Sequence, residues 1–323
     1  MRAMILAAGL GTRLLPLTNC RPKALTPLRT VTMLEFWIEN LCRCGFEGVF
    51  LNAFHRQERI GAAVSKGRWP IPVKVLYERV ILGTGGGIRS AAEQAGEEPF
   101  AVVNADILSD ADLGALYELH RLSGARVSLL LHDWPEFNNV AVSKDGLVLG
   151  FGSEAKEILA KNETVRLMAF TGIHFINPSA LAWVPLGAPC DIIQVYRELI
   201  ARNEPIAALF QKDLFWREMG APGSYAKLTM ELAGLAPGRF DPIRTGEAVT
   251  IHPQARIHPG CRLEGSVAVG GGSVVCEGVS LENVILWDDV RIEKGSCLKE
   301  CIVADGMNIS GHHTGKVFAP GPV

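Results

Sequence analysis

The sequence predicts an α/β protein: a mostly parallel, helix-covered sheet followed by a short parallel β-helix. Short apolar runs alternate with helical patterns through the first hundred residues, as they do in sheets built from crossover units. Glycine-rich turns and one aspartate fall at the ends of those runs, where ligands of such sheets bind. From about residue 247 the apolar residues recur every six positions, the mark of a parallel β-helix.

Each element follows in order. Met4-Ile5-Leu6-Ala7-Ala8 reads as a fully buried strand from the middle of a parallel sheet. Residues 34–45 form an amphipathic helix ending at Gly45, Val49-Phe50-Leu51 a second strand, and Glu58 to Ser65 a second helix. Val73-Lys74-Val75-Leu76-Tyr77 is a third strand, followed by the turn Gly83-Thr84-Gly85-Gly86-Gly87 and a helix from about Ile88. Phe100-Ala101-Val102-Val103-Asn104 is an apolar strand that stops at Asp106. In the tail Ile251, Ile257, Leu263, Val269, Val275, Leu281 and Trp287 keep the six-residue period, predicting roughly three coils with a phase slip after Trp287. The expected domains are 1–232 and 249–311, joined by a glycine- and proline-bearing linker at 233–248 and followed by a tail at 312–323.

Composition narrows the function classes. The chain has 323 residues, 48% of them hydrophobic, and a formal net charge of −2, so a sizeable core is available and no broad basic field invites nucleic acid. No apolar run reaches the roughly 18 residues of a membrane span. The first strand begins at once, which leaves no room for a signal peptide. Eight cysteines are scattered without zinc-ribbon spacing, as expected for reduced thiols in a cytoplasmic protein.

The segment after the first strand carries chemistry. Gly9 and Gly11 allow positive φ and let backbone N–H groups approach an anion, Arg13 can bridge phosphate oxygens, and Lys23 supplies a compact mobile charge. The spacing is neither that of a P-loop nor that of the dinucleotide fingerprint, whose last glycine would fall at Leu14. A lone Gly-x-Gly is weak, but the string through Pro22-Lys23-Ala24-Leu25-Thr26-Pro27 is highly specific.

From Gly9 to Pro27 the chain resembles the sugar-1-phosphate nucleotidyltransferases (NDP-sugar pyrophosphorylases). Their signature is Gly-x-Gly-Thr-Arg-x-x-Pro-x-Thr followed by Pro-Lys-x-Leu-x-Pro, and every fixed position is met here. The resemblance implies a Rossmann-like, glycosyltransferase-A-like domain that converts an NTP and a sugar 1-phosphate into an NDP-sugar and pyrophosphate with Mg²⁺. It implies that Leu6, Ala8, Gly9, Gly11, Thr12 and Arg13 bind the nucleotide and that Arg13 and Lys23 act at the reacting phosphates. Gly83, Thr84 and Gly85 resemble the family's base- and ribose-binding turn.

Further matches are looser. Val103-Asn104-Ala105-Asp106 resembles Asn-Gly-Asp, which implies that Asp106 holds metal. Trp216-Arg217-Glu218-Met219-Gly220-Ala221-Pro222 resembles Trp-x-Asp-x-Gly-Thr-Pro, with Glu218 as the second metal ligand, its oxygens displaced by about 1.5 Å through the extra methylene. Thr171 and Gly172 resemble the sugar-phosphate strand, and Asn139 lies where sugar hydroxyls would be met. The usual Val-Glu-Lys-Pro is missing; Phe151-Gly152-Ser153-Glu154-Ala155-Lys156 stands there. Asn52 and His55 match a looser pattern and are given no role.

The tail resembles that of relatives with a left-handed β-helix, and Trp287-Asp288-Asp289-Val290 resembles the mannose-1-phosphate guanylyltransferase group; N-acetylmuramate- and heptose-phosphate enzymes stand close behind. The coil leaves homo-oligomerisation open. Two other classes remain: a non-catalytic nucleotide-sugar-binding regulatory subunit and a hexapeptide-repeat acyltransferase. His312-His313 is expected to be a solvated tail pair.

Overall fold

The computed structural model describes residues 1–321. The chain groups into two units, residues 1–9 with 38–216 and residues 10–37 with 217 onward.

The first unit is built on a nine-stranded sheet. Its strands are β1 (Arg2–Leu6), β2 (Gly48–Ala53), β3 (Val73–Tyr77), β4 (Phe100–Asn104), β5 (Val127–His132), β6 (Val140–Val142), β7 (Val148–Phe151), β8 (Arg166–Ile176) and β9 (Ile206–Leu209). β1 lies between β2 and β4, parallel to both, with Met4 opposite Phe50 and Val102. β3 extends the parallel part beside β2. β8 runs antiparallel to β4, β5 and β6, so the sheet is mixed on that side. Strands buried on both faces need continuous apolar runs, and Ala3, Met4, Ile5, Val102 and Val103 are all fully buried.

Helices cover the sheet. α3 (Gly83–Ala95) presents Ile88, Ala91, Ala92 and Ala95 to the core, and α6 (Ile192–Ala201) presents Ile192, Val195, Tyr196 and Leu199, both at helical spacing. α6 starts where the Asp191 carboxylate accepts from the Ile193 N–H at 3.0 Å. The glycine run expected as a turn is instead the first turn of α3. Closeness to other backbone explains the glycines: a Cβ on Gly86 would sit 2.5 Å from the Ala188 carbonyl oxygen, and one on Gly85 3.1 Å from that of Cys190.

Two polar side chains of this core, His174 and Tyr196, have no hydrogen-bond partner among the described residues. His174 on β8 is fully buried with both ring nitrogens unpaired, and burial lowers its pKa to about 3. Its ring meets the Tyr196 ring edge-on at 5.8 Å.

The second unit carries the signature loop and the coil. Three 3₁₀ turns, Thr12–Leu14, Leu17–Asn19 and Lys23–Leu25, fold the loop. A Thr32–Glu35 capping box then opens α1 (Met33–Arg43), the Thr32 N–H donating to Glu35 Oε2 and the Glu35 N–H to Thr32 Oγ1. The coil has three parallel sheets of five, four and four strands. Its columns in register are Ile251–Val269–Leu286–Val303, Ile257–Val275–Ile292–Ile309 and Leu263–Leu281–Leu298, with Ile251 exposed at the first strand.

The phase slip falls before Trp287 rather than after it. Ile251 to Val269 is an 18-residue coil and Val269 to Leu286 a 17-residue one, so Leu286 takes the interior place and Trp287 turns outward. The coil also runs past 311: His312–Thr314 pairs with Cys297–Lys299, and Val317–Phe318 with Ile302–Val303. His313 therefore stacks edge-on against Phe318 at 5.0 Å instead of trailing in solvent.

Outward-facing Trp287 is nonetheless fully buried. Its Nε1–H donates to the Tyr225 hydroxyl at 3.0 Å, and that hydroxyl donates to the Pro27 carbonyl at 2.6 Å. The Arg21 guanidinium lies 5.5 Å from the Trp287 ring centroid and makes a two-point ion pair with Asp305 and a 2.5 Å contact with Asp288. Burial works to lower the Arg21 pKa, but its bonds and charge contacts with Asp305 and Asp288 outweigh that and raise it. The signature loop is thus tied to the coil.

Two outcomes follow. Arg21→Met, which leaves Asp288 and Asp305 facing each other, should lower unfolding free energy by about 3 kcal/mol in urea titrations. For His174 the folded pKa lies below the unfolded value, so the unfolded state binds the extra proton between about pH 3 and 6.5. Stability should fall by about 1.4 kcal/mol per pH unit as pH drops below 6.5. His174→Phe should lose that slope, as urea titrations at pH 7.5 and pH 5 will read.

Candidate functional site

In the first unit the expected residues gather at the carboxyl ends of the parallel strands. Leu6 ends β1; the Ala105 N–H donates to its carbonyl at 3.1 Å, which sets Asp106 just beyond β4. The Ala7 N–H donates to Asn52 Oδ1 at 2.8 Å, so the start of the glycine loop is anchored to the end of β2. Ala8 is buried and Gly9 exposed. Asp106 is half-buried.

At the turn into α3, Gly83 and Thr84 are exposed and Gly85 is buried. The Gly85 N–H donates to the Cys190 carbonyl at 2.8 Å. Thr84 Oγ1 accepts from the Ile192 N–H at 3.0 Å. Two helix starts are therefore stitched together, and the Gly85 and Gly86 amides of α3 both donate to the Cys190 carbonyl. Burial, and after it the Asp191 charge, raises the Cys190 thiol pKa, which keeps this neighbour protonated.

On the sugar side the expected residues behave differently from one another. The Thr171 hydroxyl is buried and donates to the Leu130 carbonyl at 2.7 Å, across an irregularity in the pairing of β8 with β5. Gly172 adopts φ +80°, and a Cβ there would lie 2.5 Å from the Asn104 side-chain nitrogen. Asn139 is exposed at the start of β6, while its neighbour Asn138 closes the turn by accepting from the Trp134 N–H at 2.9 Å. Gly152, in the stretch that departs from the family pattern, precedes helix α5 (Ser153–Lys161), on which Lys156 lies.

In the second unit the loop is held by its own short bonds. Gly11 has φ +69°, and its carbonyl accepts from Leu14 N–H and Thr18 Oγ1, both at 3.0 Å. A Cβ on Gly11 would meet Thr18 Cγ2 at 2.7 Å and Lys23 Cγ at 3.4 Å, so glycine lets the lysine stem pass close. Thr12 opens the first 3₁₀ turn, and half-buried Lys23 opens the third.

The mostly exposed Arg13 guanidinium forms a 2.5 Å ion pair with Glu218, whose side chain is largely covered. Gly220 makes room for the pair, since a Cβ there would lie 2.8 Å from Glu218 Oε1 and 2.9 Å from Arg13 Nη1. An arginine and a carboxylate 205 positions apart in sequence gave no local signal of this pairing.

Sequence reasoning also missed Glu78. It follows β3, is buried, and accepts from Asn52 Nδ2 at 2.7 Å and from the Leu82 N–H at 3.0 Å. A glutamate after a strand looks like any solvated turn residue, so only its burial reveals it. No cluster of three or more His, Cys, Asp or Glu side chains forms a ready metal cage among the described residues. A cation that keeps waters and takes phosphate oxygens needs only one or two carboxylates.

The chain is similar to known proteins over most of its length. The family model described as nucleotidyl transferase matches residues 2–234, and the GMPPB C-terminal domain matches residues 245–314. The chain is 28% identical to the mannose-1-phosphate guanylyltransferase of Mycobacterium tuberculosis, over 92% of this chain and 82% of that protein. It is 29% identical to probable mannose-1-phosphate guanylyltransferase 3 of Oryza sativa subsp. japonica, over 94% and 86%, and 26% identical to a UTP–glucose-1-phosphate uridylyltransferase of Synechocystis, over 94% and 87%. The crystal structure of HddC from Yersinia pseudotuberculosis complexed with GMP-PN shares the fold, with a TM-score of 0.58 at 18% identity over 71% of this chain and 98% of that one. Matched over residues 2–234, with the signature loop at the end of its first strand, the chain belongs to the nucleotidyl transferase family.

Proposed function

We propose that this protein transfers a nucleotidyl group from an NTP to a sugar 1-phosphate, releasing pyrophosphate, and that the pair is GTP and mannose 1-phosphate. One observation supports the reading above others. The loop that carries the family signature holds an exposed guanidinium, that of Arg13, already gripping an anion, the Glu218 carboxylate, as it would a phosphate.

In this reading a sugar-phosphate oxygen attacks the α-phosphorus, the new P–O bond forms in line, and the bond to the β-phosphate breaks with its electron pair leaving on pyrophosphate. No covalent enzyme intermediate is needed, because the attacking oxygen is already an anion. Two anions must be brought together, so positioning and charge neutralisation are the main demands. The roles run as follows: Leu6, Ala8, Gly9, Gly11 and Thr12 hold the triphosphate by main chain and hydroxyl, and Arg13 and Lys23 neutralise the reacting phosphates. Gly83, Thr84 and Gly85 line the nucleoside, and Asn139, Thr171 and Gly172 take the sugar phosphate. The buried Thr171 hydroxyl points this residue's role to the backbone around it. Asp106 and Glu218 would hold Mg²⁺, which supplies charge neutralisation at the phosphates when bound. A triphosphate arriving at Arg13 releases Glu218 for that duty.

The reaction belongs in the cytoplasm on this reading; no helix among the described residues is long and apolar enough to cross a membrane. The coil is open to homo-oligomerisation. A second reading, a non-catalytic nucleotide-sugar-binding regulatory subunit, is favoured by the engagement of Glu218 with Arg13.

Pyrophosphate release with a panel of NTPs and sugar 1-phosphates separates the readings. GTP with mannose 1-phosphate should turn over fastest. No turnover with any pair, together with tight NDP-sugar binding, would establish the regulatory subunit, and acetyl-CoA consumption the acyltransferase. Asp106→Asn should lower kcat on the order of 100-fold or more while thermal unfolding stays unchanged; a near-normal rate would remove Asp106 from the metal site.

A further inference from the structure

Asn52 and Glu78 form a deeply buried polar pair at the ends of β2 and β3 in the first unit, 2% and 5% exposed. Their bonds form one directed chain. The Ala7 N–H donates to Asn52 Oδ1 at 2.8 Å, Asn52 Nδ2 donates to Glu78 Oε1 at 2.7 Å, and the Leu82 N–H donates to Glu78 Oε2 at 3.0 Å. One end of the chain is the backbone entering the signature loop after β1. The other is the backbone entering α3 at Leu82-Gly83-Thr84.

The arrangement is costly if its only purpose is packing. A buried carboxylate needs compensation, and among the described residues no basic side chain pairs with Glu78. Its charge is balanced by the Asn52 amide, the Leu82 N–H and the positive end of α3. Gly87 completes the picture: a Cβ there would lie 2.7 Å from Asn52 Nδ2 and 3.2 Å from Glu78 Oε1. The last glycine of the run admits this pair, as the two before it admit the Cys190 and Ala188 carbonyls.

We infer that Asn52 and Glu78 are positioning residues for the nucleotide, fixing the two backbone segments that receive its phosphate and nucleoside ends at one separation. Neither touches substrate; both act through the Ala7 and Leu82 amides. The inference rests on the nucleotidyl-transfer reading above. Glu78→Gln turns an amide donor toward a donor, and Asn52→Asp sets two carboxylates side by side, so each breaks the chain. The reciprocal swap Asn52→Asp with Glu78→Gln reverses one bond, keeps every donor facing an acceptor and keeps the total charge.

The test measures KM for the NTP and for the sugar phosphate separately, with thermal unfolding alongside. Each single variant should raise the NTP KM by about tenfold or more, with the sugar-phosphate KM within about twofold, and the swap should restore the NTP KM to within about threefold. Gly87→Ala should copy the single variants, and it serves where either of them fails to fold. Folded single variants with a normal NTP KM, equal rises in both KM values, or a folded swap without rescue would each overturn the assignment. Wild-type protein that turns over no substrate pair would defeat the functional reading instead. The same variants titrated with GTP by calorimetry would then still decide the positioning role.

Discussion

The buried run from Trp287 through the Tyr225 hydroxyl to the Pro27 carbonyl is the constraint on which the second unit depends. The signature loop contains several prolines and glycines and only short 3₁₀ turns, so it has little regular structure to hold its shape. Its order is borrowed from the coil. Arg21, two positions before Lys23, adds ion pairs to Asp288 and Asp305 at the same place. Such bonds are worth most when every member is satisfied, and here the aromatic donor, the hydroxyl and the carbonyl are matched end to end. A repeat domain that could be taken for an appendage is therefore part of the scaffold of the loop.

That dependence rests on a single deletion in the repeat. With an unbroken six-residue period Trp287 would point into the coil, where its indole N–H would lack a partner. The 17-residue coil turns it outward instead and leaves Leu286 inside. The first unit solves a similar problem with glycines. Gly83 to Gly87 let carbonyls and an amide come closer than any Cβ allows, and a helix starts where flexibility would otherwise be expected.

These cases mark what could be read in advance. The central strands were legible because strands buried on both faces must be apolar throughout. The coil was legible because its period is short and local. The family was legible because the loop's glycines and cations stand at the signature's spacing. Trp287's direction was not, since a one-residue slip is invisible to a pattern that counts sixes. The first turn of α3 was not, because triple glycine disfavours helix locally and only carbonyls about a hundred residues away make it fit. Thr171 and Gly172 were singled out by likeness, but the hydroxyl's bond to Leu130 depends on an irregular strand pairing that no spacing announces. The Asn52–Glu78 and Arg13–Glu218 pairs join residues distant in sequence, and burial or pairing of that kind has no local signature.

On the proposed function the Arg13–Glu218 pair would bear on turnover as well as on structure. An exposed arginine without a partner would wander among rotamers and hold any phosphate that reached it tightly. Held by Glu218, it is pre-aimed, but every incoming anion must displace one that the protein carries permanently. In the proposed reaction the same internal rival would take the guanidinium back as soon as pyrophosphate loosens. On the proposed reaction the loop would be tuned toward exchange: it would give up some grip on its substrate and gain a faster farewell to its product.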